Sequence, residues 1–222
     1  IIYPATEKLG KPIQIEVSCE SSEVINYDIY NKKGLIIESI ACDCDDNMSS
    51  KQTYRYNKKG NIIEHCQYIC DGSLLFKHLH IYDKEGNEKE ISIYYSNYSL
   101  HCKYLYKYDT RGNKIETKCY DIDRSVIFKE TYKYDTKENE IEWILYDSES
   151  CINEKVIYEY DEYKNVTKEI SYNSDDSIDE IKNSEYIYDK NMNWITRIDY
   201  ILENEIKKPK IITEREIILY KK

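Results

Sequence analysis

Along most of the chain, apolar and polar residues alternate with a period of two, and Asp, Asn and Gly interrupt the alternation at fixed intervals. That pattern predicts short β-strands joined by tight turns. Its clearest instance is Tyr106 to Asn113, YKYDTRGN, a refrain that recurs in seven variants. The second tyrosine of the refrain falls at Tyr30, Tyr56, Tyr82, Tyr108, Tyr134, Tyr160 and Tyr188, in five steps of 26 residues and a last step of 28. Asp or Asn follows every one of them, from Asn31 to Asp189. Three residues further on stands Gly34, Gly60, Gly86 or Gly112, replaced in the last three units by Glu138, Lys164 and Met192. Asn comes next in each unit except the first, where Leu35 takes its place.

A unit of this length accommodates two strands and two turns. Asp-x-x-Gly-Asn carries the chemistry of a type I turn closing on a left-handed residue. Asp bonds the local backbone, and Gly takes positive φ without a Cβ clash. Such a turn makes a three-residue hairpin loop with a bulge at the glycine. Where Gly is lost, Asn139, Asn165 and Asn193 are expected to carry part of the left-handed strain. The opposite turns, near Asp71-Gly72, Ser96-Asn97, Asp121 to Asp123 and Asp175-Asp176, are more weakly punctuated and are expected to be looser.

Counting each refrain tyrosine as position 0, further tyrosines recur at position 12: Tyr68, Tyr94, Tyr120, Tyr146, Tyr172 and Tyr200. Position 10 holds Ile40, Cys66, Ile144, Ile170 and Ile198, and Tyr54, Tyr106, Tyr132, Tyr158 and Tyr186 stand two before position 0. All these positions are even, so strict alternation assigns them to one face. The fold class predicted is all-β: tandem 26-residue β-hairpin repeats forming one long antiparallel meander of roughly 14 to 16 strands, wide enough to curl into a spiral, shell or barrel-like sheet. A single domain is expected over 1–222, with half-repeat caps at 1–27 and 205–222. Pro4, Pro12 and Pro209 lie outside the repeated block, where a missing ladder donor does least harm.

Composition adds two constraints. Tyr supplies 25 of the 222 residues while Phe and Trp supply two each. A ring that packs while its hydroxyl stays hydrated suits many half-buried surfaces better than one apolar core. Basic and acidic residues number 32 and 42, a net charge of -10. That balance argues against nucleic acid as the main partner, because phosphate binding needs an excess of Lys and Arg on one face. No apolar run reaches the length of a transmembrane helix. No signal peptide is visible, and the chain begins Ile-Ile-Tyr-Pro without Met, which leaves room for a leader upstream.

The groups able to carry chemistry are few. The eight cysteines, Cys19, Cys42, Cys44, Cys66, Cys70, Cys102, Cys119 and Cys151, are scattered across the repeat positions. Cys44 and Cys70 share a position but stand two strands apart, beyond disulfide reach. Cys102 and Cys119 face each other across one hairpin but are expected on opposite faces. Free thiols serving as small hydrophobes are therefore the expectation. His78 and His80 alternate on one strand, with Glu90 expected opposite His80 and Cys66 on the neighbouring strand, a set that could hold zinc. The plainer account is that His80 replaces a ladder tyrosine, and no metal is assigned. Glu38, Glu64, Glu90, Glu116 and Glu142 recur at position 8, which marks them as cross-strand partners of Lys or Tyr rather than catalytic acids. Trp143 and Trp194 break the repeat. The binding candidates are thus His78, His80, Trp143 and Trp194, with no catalytic residue and no cofactor assigned.

The pattern Tyr-x-Tyr-Asp-x-x-Gly-Asn resembles the YD repeat of the rearrangement-hotspot (Rhs) family over about residues 28 to 200. Tyr106, Tyr108, Asp109, Gly112 and Asn113 match it best, and the last three units lack the glycine. MORN repeats are shorter and far richer in glycine. The resemblance implies hairpin sheets that coil into shells or spirals, used in bacterial surface and secreted proteins as toxin casings or binding surfaces, some for carbohydrate, with no catalysis by the repeats. The expected function is a non-enzymatic binding or scaffold module at a bacterial cell surface, its partner an unknown protein or glycan. The free cysteines point instead to an intracellular interaction or immunity-type partner, since thiols persist in reducing cytoplasm. A third expectation is a fragment of a toxin-casing Rhs protein.

Overall fold

In the computed structural model the described residues are 25–42, 48–203 and 206–215. Most of the first expected end cap and residues 205 and 216–222 of the second lie outside them, as do Cys19, Cys44, Asp45, Asp46, Pro4 and Pro12. The described residues form β1 (Ile25–Tyr30), β2 (Ile36–Cys42), β3 (Met48–Tyr56), β4 (Ile62–Ile69) and β5 (Leu74–Tyr82). These are followed by β6 (Glu88–Tyr95), β7 (Leu100–Tyr108), β8 (Lys114–Tyr120), β9 (Val126–Tyr134) and β10 (Glu140–Tyr146). The last five are β11 (Ile152–Tyr160), β12 (Val166–Tyr172), β13 (Ile178–Tyr188), β14 (Trp194–Glu203) and β15 (Ile206–Glu214). Among the described residues there is no helix, and so none long and apolar enough to cross a membrane. The strands follow one another in sheet order from β1 to β15, the meander the repeat predicts, and the sheet is not closed on itself. Its contacts fall into two units, one of Ile1–Tyr106 with Cys119–Ser125 and one of Lys107–Lys118 with Val126–Lys222.

The refrain explains its own turn. In the fourth hairpin the Asp109 amide donates to the Asn113 carbonyl at 2.9 Å and the Gly112 amide donates back to the Asp109 carbonyl at 3.1 Å. The Asp109 carboxylate completes a clasp. Its Oδ1 accepts the amides of Arg111 and Asn113, each at 2.9 Å, and its Oδ2 accepts the Asn113 side chain at 3.0 Å. The same bonds recur around Asp135, Asp161 and Asp189. The left-handed conformation stays at one position throughout, with φ of +90° at Gly112 and +67°, +67° and +62° at Glu138, Lys164 and Met192. The expected transfer of strain to Asn139, Asn165 and Asn193 does not occur, because those residues are occupied in the clasp. Nor are the opposite turns looser. Gly72, Tyr98, Arg124, Ser150 and Asp176 all have positive φ, and each donates its amide to the residue three before it.

The refrain tyrosine links one hairpin to the previous one. Tyr56 Oη donates to the carbonyl of Ile36 at 2.6 Å, Tyr82 to Ile62 at 2.7 Å, Tyr134 to Lys114 at 2.9 Å and Tyr160 to Glu140 at 2.6 Å. The acceptor is always the first residue of an even-numbered strand. β2 and β3 pair only from Glu38 onward, so the Ile36 carbonyl lies beyond that ladder and the hydroxyl satisfies it.

One expectation about faces fails in hairpin after hairpin. From β1 to β7 and from β9 to β14 the register shifts by one residue near the turn, as between Arg55 and Tyr56, so Tyr54 pairs with His65 while Cys66 and Tyr68 pair with Thr53 and Lys51. A one-residue shift exchanges the faces of all that follows. The position-12 tyrosines therefore share a face with lysines rather than with the refrain tyrosines. Lys129 Nζ lies 3.7 Å from the ring centre of Tyr146, and Lys155 Nζ 4.7 Å from that of Tyr172. The position-8 glutamates join this face in ion pairs: Glu64 with Lys77 at 2.7 Å, Glu90 with Lys103 at 2.9 Å and Glu142 with Lys133 at 2.6 Å. Such half-exposed cross-strand pairs each contribute about 0.2–1 kcal/mol.

Candidate functional site

The histidines come together differently from expectation. His65 and His78 are cross-strand partners with ring centres 5.2 Å apart, and His65 stacks on Tyr54 at 4.7 Å. Cys66 pairs with Lys77 and so lies on the opposite face. Glu90 pairs with Ile81, and it is Glu88 whose Oε1 meets His80 Nδ1 at 2.6 Å. The register shift near Tyr68 accounts for Cys66, and that near Tyr82 for Glu90. Burial, and then the neighbouring imidazoles, hold His65 and His78 below the usual histidine pKa, so both favour the neutral form. His80 Nε2 is buried without a hydrogen-bond partner among the described residues. No group of three metal-ligating side chains forms among the described residues.

Two further expectations meet the same fate or a plainer one. Cys102 and Cys119, expected on opposite faces, are neighbours whose thiols and the Tyr104 hydroxyl are in hydrogen-bonding contact. Burial pushes the Cys119 thiol up to about 11, which makes it a poor nucleophile. Among the described residues Cys66, Cys70, Cys102, Cys119 and Cys151 are free thiols, and Cys66, Cys102 and Cys119 are buried. Trp143 stands between Tyr132 and Val156 in the cross-strand ladder and is half-buried, so its ring is used in packing.

Trp194 is in a different position. It opens β14 and helps to form a groove of about 370 Å³ with Lys164, Asn165, Glu169, Lys182, Ser184, Tyr186 and Arg197. Its ring meets Tyr186 edge-on at 6.1 Å, and the Arg215 guanidinium lies 3.7 Å from its centre. The groove floor is polar but internally satisfied. Ser184, 8% exposed, donates to Asp199 at 2.6 Å, Arg197 Nε bonds the same carboxylate oxygen at 2.7 Å, and Lys182 Nζ meets Glu169 at 2.6 Å.

The groove arises where the repeat lengthens. β13 has eleven residues where β11 has nine. The two extra residues move Tyr188 beyond the usual carbonyl, and Tyr186 takes over, donating to Val166 at 3.0 Å. Tyr188 instead donates to the Asp161 carboxylate and accepts from the Asn165 side chain at 2.7 Å. Sequence reading found Trp194 but missed Ser184, although the step of 28 residues was its signal.

No family model matches the chain, and no curated protein matches it. Among solved structures it is similar to the Photorhabdus luminescens Tc holotoxin pore, with 11% identity and a TM-score of 0.46 over 79% of this chain. This chain spans 12% of the length of that one. It is also similar to a porin-like protein from Bacteroides uniformis, with 9% identity and a TM-score of 0.47 over 90% of this chain and 93% of that chain.

Proposed function

We propose that the chain is a non-enzymatic YD-repeat module that serves as a scaffold and binds a protein or glycan at a bacterial cell surface. The observation that carries this reading is how the polar chemistry is distributed. Clasp carboxylates, refrain hydroxyls and position-8 glutamates recur from unit to unit and are spent on bonds within the sheet. A site that acts on one ligand is needed once. The Trp194 groove instead brings together residues foreign to the repeat, Trp194 and Ser184, with an aromatic wall and hydrogen-bonding side chains around it, a combination typical of ligand sites. A glycan array probed with the whole chain and with Trp194→Ala tests the carbohydrate form. The expected outcome is binding to one glycan class that falls at least tenfold in the variant. Equal binding by both proteins would place the surface elsewhere, and no binding to any sugar would remove the carbohydrate form.

The free, buried thiols favour a second reading, an intracellular interaction or immunity-type partner. Fractionation of the native host with an antibody to the chain separates the two: recovery from the cytosol alone would remove the cell-surface form.

A further inference from the structure

The groove at Trp194 corresponds to a missing ring. The pairing of β12 with β13 repeats that of β10 with β11: Ile144 faces Lys155, and Ile170, 26 residues on, faces Ile181. By that correspondence residue 184 occupies in β13 the place of Tyr158 in β11. Tyr54, Tyr106, Tyr132 and Tyr158 supply a phenol ring at this place, and His80 supplies an imidazole. The first unit has Asp28 there and the last has Ser184, so these two units lack the ring. The two extra residues of β13 carry the ring that would have filled the place two positions along, to Tyr186. The result is an open volume of about 370 Å³ beside Ser184, walled by Tyr186 and Trp194. That lies at the lower end of the roughly 300–1,000 Å³ typical of small-ligand sites, room for one ring-sized group.

The filled places show what such a ring meets. Tyr54 Oη donates to Gln52 Oε1 at 2.8 Å and Tyr132 Oη to Glu130 Oε2 at 2.7 Å, in each case the side chain two residues earlier. Two residues before Ser184 stands Lys182, a donor. Its ammonium already faces Glu169 at 2.6 Å and Glu180 at 3.4 Å, and it has a third hydrogen to give. A ring entering here would therefore present an oxygen that accepts.

We propose that this groove binds the phenol ring of a tyrosyl side chain presented by a partner polypeptide, with Lys182 donating to its oxygen. The proposal rests on reading the groove as the binding site and selects the polypeptide over the glycan.

The chain has two tryptophans, so the indole N–H signals of Trp194 and Trp143 provide a reporter and an internal control. Titration of ¹⁵N-labelled protein with N-acetyltyrosinamide is expected to move the Trp194 signal and leave that of Trp143 in place. N-acetylphenylalaninamide, which lacks the oxygen, is expected to bind at least fivefold more weakly. Ser184→Tyr rebuilds the missing ring and is expected to abolish the shift while raising the melting temperature. Equal movement of both signals, equal affinity for the two amides, or an undiminished shift in folded Ser184→Tyr would overturn the proposal. Should that variant not fold, the two wild-type comparisons decide on their own. A Trp194 signal that responds to a glycan from the array but not to N-acetyltyrosinamide would sink the phenol and leave the groove as a binding site.

Discussion

The fourth and sixth refrain turns make an informative pair. Asp109 to Asn113 closes on Gly112 at φ +90°, and Asp161 to Asn165 closes on Lys164 at φ +67°. In both turns the aspartate Oδ1 takes two amides at 2.9 Å and Oδ2 takes the asparagine side chain. A lysine in the left-handed region costs about 1–2 kcal/mol relative to glycine, yet the geometry is kept. The carboxylate clasp therefore fixes the turn, and glycine only lowers its cost. The sixth turn also has a bond the fourth lacks, from the Tyr188 hydroxyl to Asp161.

If the clasp dominates, Asp161→Ala should be the most damaging change, costing about 2–3 kcal/mol in denaturant unfolding, because several bonds to one charged group are lost together. A loss no larger than that from a Gly112 substitution would reverse the ranking. Exchanging the closing residues comes next. Gly112→Lys should cost about 1 kcal/mol, and Glu138→Gly should gain about as much in the fifth turn, where Glu138 has φ +67°. Tyr188→Phe should cost about 1 kcal/mol or less, and if it costs nothing the extra hydroxyl does not offset the strain at Lys164.

The smallest effect is a local one with pH. Bonds from the Asn113 side chain and the turn amides hold the Asp109 carboxyl below its usual pKa. At Asp161 burial acts the other way and is outweighed by bonds from Tyr188 and the turn amides. A lowered folded pKa stabilises above the unfolded value and is lost as pH falls through the folded one. Below about pH 4, exchange protection at the Arg111 and Tyr163 amides should therefore fall. The amides of Lys33 and Lys59, bonded to the uncharged Asn31 and Asn57 at 2.8 and 2.9 Å, should keep theirs. Parallel loss at all four would mean that the sheet, not the clasp, is responding.

The strands, the meander and the turn residues were legible because each has a local cause: alternation, Asp at the turn start, Asn in the clasp. Side-chain faces were not. The exact place of each register shift is a property of hydrogen-bond geometry rather than of any one residue type, and a register assumed one residue off misplaced Cys66, Cys119 and Glu90. The site was half legible. Trp194 stood out as a residue foreign to the repeat, whereas Ser184 is informative only once the pairing shows that a ring belongs there.

The bond from the refrain hydroxyls of Tyr56, Tyr82, Tyr134 and Tyr160 to a carbonyl twenty residues upstream has a consequence for how such a chain can change over generations. Donor and acceptor lie in neighbouring hairpins, so a duplication or deletion of one whole repeat renews every such bond at the new junction. Unequal exchange between units can thus lengthen or shorten the sheet without a folding penalty at the seam. The eleven-residue strand is the exception. An exchange aligned on its tyrosine, Tyr188, would bring a phase error of two residues with it, so the last hairpin can be inherited or lost but not readily blended with the others.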